Sequence, residues 1–487
     1  MSVCTPRFLS SSGAELNLRS QMLFLDETNV STNDLITSIA SWNQRYIHES
    51  SHWARFHGSS IGVLLVILRR TRDLLAAYTL QHLDTQDIAQ FSLERLDRAS
   101  LFSYSEHSPL NRLGEQLTLQ RQDWLDLHFT YQILLDPEFL GSSIKQWPAT
   151  NAIQAALEII WHQSSGDGML PRLTGERGSV RLDDQVALIA SREGIVSTRL
   201  LFECAAVLDE VLLQVGSFSR MADPALLKML SRTFDGEYGL PYRFAEELAG
   251  RKLDPITILT LIDFAINPVV PGLHSQGVDT AWREIYPPLR FAEAALAISS
   301  WRGESLASWP SAQVIASLQE EIADRTGIRM GMVLPELSAA SSLSECATRI
   351  RHHAQLIPDL TLFYSSRLLR DRRDNPHLLS HYGLNFIDSG ALRFVNPTQE
   401  DAWWIFPPLR VKAGRYSWPM DRINIDEATN FFFSSAISSA YDDAVHGVGP
   451  LSREHLPSAE FEDDEQLSAF NAELRRAIRF PLSWSKS

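Results

Sequence analysis

The residue types best suited to chemistry stand together at His48-Glu49-Ser50-Ser51-His52. A helix returns to the same face after four residues, so a helical reading sets the two imidazoles side by side, able to share one ion. Glu49 then lies about 100° round the helix, where it can reach a water held by that ion. Two nitrogen ligands and an adjacent proton acceptor are the parts of metal-assisted hydrolysis. With 14 histidines in 487 residues, chance alone yields roughly 0.024 copies of the pattern per chain. The bland alternative is an exposed helix carrying a fortuitous histidine pair.

The surrounding residues predict the helix that must carry this group, over about 32–57. Ser31, Thr32 or Asn33 can cap it; Leu35, Ile39, Trp42, Tyr46, Trp53 and Phe56 form an apolar stripe, and Gly58 offers a stop. A catalytic zinc needs a third protein ligand and one open position. Two residues compete for that role. His57 is the local candidate. Glu203 is the distant one, on a helix predicted over about 198–215 whose core stripe is Leu200, Leu201, Cys204, Val207, Leu208, Val211 and Leu212. Arg199, Glu203, Ala206 and Glu210 share a neighbouring face. The alternative for Glu203 is a surface ion pair with Arg199, worth a few tenths of a kcal/mol at that spacing.

The Tyr46–Ala54 segment, with uncharged residues at 50, 51 and 53, resembles the active-site helix of the zincin metallopeptidases. The resemblance implies zinc (Zn2+) held by His48 and His52, with Glu49 as general base and proton shuttle in attack of activated water on a peptide carbonyl. It also implies a small sheet over the helix, with an edge strand that pairs with extended substrate; Met22–Leu25 is the nearest candidate. The metzincin branch does not fit, because Arg55 stands where its glycine belongs and His57 comes one residue early. The glutamate-then-small-residues pattern at Glu203-Cys204-Ala205-Ala206 is similar to the gluzincin branch, where a glutamate from a second helix completes the site. The usual acid four residues later is replaced by Val207, leaving Asp209 or Glu210 to hold a ligand histidine.

The rest of the chain sets the frame. Helical periodicity also appears at 150–162, 225–234, 255–266, 289–300 and 311–325, against few strand-like stretches (Met22–Leu25, Thr361–Tyr364 and Ala391–Val395). The expected class is mainly α with a small β component, a zincin-like helix set in a large helical body. Residues 1–275 are expected to form the peptidase-like region and 276–487 a mainly helical region of unknown role. The Gly-rich stretch 164–178 reads as a loop or lid. Arg367-Leu-Leu-Arg-Asp-Arg-Arg373 reads as a solvated helix face. His381, Tyr382, Tyr364, Tyr416 and His446 compete as donors to a developing oxyanion.

A formal charge of −15 leaves no surplus of cations to displace counterions from nucleic acid. Three cysteines and no stretch of bilayer length predict a cytoplasmic protein with no membrane span. The expected partner is a peptide or protein substrate. A non-peptide amide is a weaker substrate option, and a non-catalytic helical interaction protein is the rival from another class.

Overall fold

The computed structural model describes residues 35–65, 189–218, 234–268, 282–301 and 312–328 as continuous stretches. It also describes the short strands named below and isolated positions 68–69, 72, 127, 130–131, 134–135, 330, 365, 368, 372, 378–380, 382–383, 465, 468 and 472. The protein is mainly helical. Helix α1 (Leu35–Gly58) is amphipathic in sequence, yet every residue from Ile47 to Gly58 is buried. That half carries His48, Glu49, Ser50, Ser51, His52, Arg55 and His57, and buried polar groups on this scale need partners on other elements. A bend follows at Ser59, whose hydroxyl accepts the N–H of Gly62 at 3.0 Å as the next helical stretch, 60–65, begins. A Cβ at Gly62 would stand 1.9 Å from the Phe56 carbonyl oxygen, so only glycine lets the chain turn so closely.

Helix α2 (Thr198–Phe218) is capped by Ser197, whose hydroxyl accepts the Leu200 N–H at 3.2 Å. It packs along α1 in the opposite direction: Gln44 meets Glu210, His52 meets Glu203, and the Phe56 ring lies 6.4 Å from Phe202. Helix α3 (Leu240–Ala249) ends on Gly250 in the left-handed region. Helix α4 (Pro255–Ile266) begins at an Asp254 cap with proline in its first turn, and Ile256 to Ile266 are all buried, so it is the core of the helical body. Helices α5 (Trp282–Ile285), α6 (Pro287–Ala297) and α7 (Ala312–Thr326) follow. Helix α6 lies on α3 and α4, α7 on α4 and α6, and α2 on α3 and α4.

Two buried arginines close the C-terminal end of α4. Arg290 on α6 donates to the carbonyls of Phe264 at 2.8 Å, Ala265 at 3.0 Å and Asn267 at 3.2 Å, serving α4 where its own ladder runs out. Arg372 donates to Asp263 at 2.9 Å and to the Asn267 side chain at 2.7 Å. It is buried, so at this position the expected solvated face is replaced by an internal ion pair.

Strands β1 (Ser10–Ser11), β2 (Ala14–Asn17), β3 (Met22–Leu25), β4 (Leu409–Val411) and β5 (Tyr416–Trp418) pair in that order. The pairing is antiparallel except for β3 with β4, where Leu23 faces Leu409. Strands β2 and β3 pack on α1. Met22–Leu25 is paired on both sides, so the expectation that it forms a substrate-pairing edge is corrected: its backbone groups are already used. Strands β6 (His455–Leu456) and β7 (Ser485–Lys486) pair separately.

The helices expected at 198–215, 255–266, 289–300 and 311–325 stand at Thr198–Phe218, Pro255–Ile266, Pro287–Ala297 and Ala312–Thr326. The stretches 150–162, 164–178, 361–364 and 391–395, and all but the last residue of 225–234, lie outside the described residues. Among the described residues no helix is long and apolar enough to cross a membrane.

Candidate metal centre

His48 and His52 point from one face of α1 toward Glu203 on α2. The two Nε2 atoms are 3.0 Å apart, and each lies 3.4 Å from Glu203 Oε2. The exposures of His48, His52 and Glu203 are 5%, 0% and 2%, so the surface ion-pair alternative for Glu203 does not describe it. Arg199 donates to Glu237 at 2.5 Å. Ligands about 2.0–2.1 Å from a tetrahedral ion stand about 3.3–3.4 Å from one another, so three atoms at these spacings fit one zinc-sized ion with a fourth direction left over. Among the described residues this is the one His/Cys/Asp/Glu group with such convergence.

Glu210, two turns beyond Glu203, accepts a hydrogen bond at His48 Nδ1, and the Gln44 amide donates to its other oxygen at 2.5 Å. A carboxylate on the far nitrogen turns Nε2 and its lone pair toward the centre. The acid that the sequence lacks at position 207 is thus supplied three residues later. Asp209, the other candidate, faces Arg55 instead. It accepts from Arg55 at 2.5 Å, from the Ser51 hydroxyl at 2.7 Å and from the Gly383 N–H at 2.9 Å. Arg55 spends its other Nη on the Leu379 carbonyl at 2.9 Å. Seven residues separate His48 from Arg55, about 20° of helix rotation, so the clamp and the ligands share one face.

His57 stands outside the cluster. It comes about 140° round the helix from His52, and its Nδ1 lies 3.0 Å from the Ser365 hydroxyl, its ring 5.0 Å from that of Trp53. Geometry therefore corrects the local third-ligand candidate. Tyr382 is buried beside Tyr46, Ser50 and Asp209. His381, Tyr364 and His446, and the side chain of Tyr416, lie outside the described residues. Cys204 is fully buried and desolvation pushes its thiol up to about 12, which leaves it a packing residue.

The electrostatics of the cluster follow from its carboxylates. Burial pushes the Glu203 pKa up, but the His52 and His48 imidazoles outweigh it and hold the group well below the usual carboxylate range. Burial pushes His48 down, and the hydrogen bonds to Glu203 and Glu210, with the Glu49 charge, lift it to about 10. Burial lowers His52, against the pull of Glu203. Glu49 is fully buried, and its charge acts on His48 and on Tyr238. Three carboxylates (Glu49, Glu203 and Glu210) act on the His48 imidazole, and the nearby guanidinium of Arg55 is paired with Asp209.

Sequence reasoning missed the Arg55–Asp209 clamp, although Ser51 and Arg55 continue the His48–His52 face at helical spacing. No protein-family model, curated protein or solved structure matches the chain. The reading of this site rests on its own chemistry.

Proposed function

We propose that this chain is a zinc-dependent hydrolase of gluzincin-like metallopeptidase type, with His48, His52 and Glu203 as ligands and Glu49 as general base. One observation carries the reading: two imidazole nitrogens and a carboxylate oxygen converge within 3.4 Å of one another in a buried setting with a further carboxylate beside them. Zinc in such a site supplies Lewis acidity and an activated water. The chain's own residues do the rest. Glu210 orients His48, Arg55 and Asp209 hold the two ligand helices together, and Glu49 takes a proton and returns it to the leaving group. The cysteine-poor, acidic composition supports a cytoplasmic setting and a peptide substrate of neutral or basic character.

The test is metal analysis of full-length protein purified without a histidine tag. About one zinc per chain is expected, and His48→Ala is expected to lose it. Absence of stoichiometric metal, with melting unchanged by a chelator, would instead support a non-catalytic helical interaction protein. Stoichiometric iron would keep the ligands and move the chemistry away from hydrolysis, since two histidines and a carboxylate also suit Fe(II). Glu210→Gln leaves all three ligands in place and is expected to weaken zinc binding by about 10–100-fold, measured by competition with a chromophoric chelator. Unchanged affinity would take Glu210 out of the site.

A further inference from the structure

We propose that a strap at Leu379, Ser380 and Gly383 is a positioning element of the metal centre, with Gly383 as its positioning residue, an assignment that rests on the metal-dependent reading above. The strap belongs to the region after residue 276, for which the sequence offers no role, yet it touches both ligand helices. On the α1 side, Arg55 donates to the Leu379 carbonyl at 2.9 Å. The Tyr382 N–H turns back on the same carbonyl at 3.5 Å, closing a turn there. On the α2 side, the Gly383 N–H donates to Asp209 Oδ1 at 2.9 Å, while Arg55 and the Ser51 hydroxyl hold Oδ2. The strap is also pinned to α4, where the Ser380 hydroxyl lies 3.4 Å from Asp263, the partner of Arg372.

The clamp residues stand next to the site residues in the chain. Ser51 precedes His52 on α1 and Asp209 precedes Glu210 on α2, so a shift at the clamp carries directly to the ligands and to the carboxylate on His48. Tolerance for such a shift is small. Two ligands about 2.0–2.1 Å from one zinc can stand no more than about 4.2 Å apart, and Glu203 Oε2 is already 3.4 Å from both Nε2 atoms. Gly383 sets how closely the strap approaches α2. A Cβ there would stand 2.5 Å from the Asp209 carbonyl oxygen and 2.6 Å from its Cα, whereas ordinary contact begins at 3.4 Å. The obstacles are backbone atoms and the strap is held to α1 and α4, so α2 must give way by about 0.9 Å. That uses up the whole of the zinc's tolerance, about 0.8 Å.

The experiment measures zinc affinity of the full-length protein by competition with a chromophoric chelator, and the visible absorption of its cobalt-loaded form. Gly383→Ala is expected to weaken zinc binding by about 10–100-fold and to change the cobalt spectrum, which reports the ligand geometry. Arg55→Lys keeps the charge against Asp209 but loses the second nitrogen that reaches Leu379, and is expected to weaken binding by about 3–10-fold. Asp254→Ala removes the α4 cap and lowers the melting temperature, and is expected to leave zinc affinity and spectrum as in wild type. An equal loss of affinity in Asp254→Ala would mean that zinc binding follows stability alone, and overturns the strap. Wild-type affinity and spectrum in Gly383→Ala also overturn it and leave the metal centre standing. Should Gly383→Ala not fold, Arg55→Lys decides by the same measure. A wild-type chain that takes up neither zinc nor cobalt overturns both the strap and the reading beneath it.

Discussion

Glu49→Gln is expected to keep a full complement of zinc and to lose hydrolysis by about 10²–10⁴-fold. The amide has the volume and shape of the carboxylate but cannot accept a proton, and none of the three proposed ligands is altered. Loss of turnover with retained metal separates a base from a ligand. The assay is a peptide-library digest read by mass spectrometry, with metal content measured on the same samples. Turnover equal to wild type would sink the mechanism. Loss of zinc along with turnover would move Glu49 into the ligand set. A library left intact by zinc-loaded wild type would point to a different amide as substrate.

Asp209→Ala is expected to cost about 3–5 kcal/mol of stability in the metal-free protein, measured by urea unfolding. Asp209 and Arg55 are 0% and 1% exposed, so removing the carboxylate leaves a guanidinium inside the protein with its charge uncompensated. The Leu379 carbonyl and the Ser51 hydroxyl still accept from Arg55, but neither carries a charge. Replacing both partners together, as Arg55→Met with Asp209→Leu, is expected to recover much of the loss, because an apolar pair of similar bulk does not need the compensation. A cost below about 1 kcal/mol for Asp209→Ala would mean that the pair is solvated, contrary to the packing described.

Helical spacing made His48 and His52 legible as neighbours, and a second amphipathic pattern put Glu203 on a helix with small residues beside it. Those readings depend only on the 3.6-residue period, which sequence displays directly. His57 shows the limit of nearness in sequence. Five residues past His52 carries it to another face, where it meets Ser365 from more than 300 positions away. Glu210 was legible as one of two candidates, and choosing between it and Asp209 required knowing that Arg55 claims the latter.

What stayed hidden depended on long-range contact or on short irregular structure. Strand β3 has only four residues, and its partner β4 lies near the other end of the chain, so no local pattern announces that Met22–Leu25 is interior. Arg372 sits in a run of arginines that looks solvated until Asp263 of α4 appears beside it. The 3-10 turn Glu237–Gly239 is held by Arg199 of α2 and Arg243 of α3, whose relation to it is set by packing alone.

The Arg55–Asp209 clamp bears on when the centre can exist during synthesis. Its hydrogen bonds span 154, 174 and 324 positions of chain, to Asp209, from Asp209 to Gly383, and from Arg55 to Leu379. A polypeptide emerging from the ribosome N-terminus first exposes the histidines early and their glutamate much later. The buried charges that join the two helices then wait for residues 379 and 383 before their last partners arrive. Pairings this far apart in sequence form late, after the large loops between them have closed. For the proposed site this makes metal capture a late event of folding, and a chain interrupted before residue 383 would carry the proposed ligands without a finished clamp to hold them.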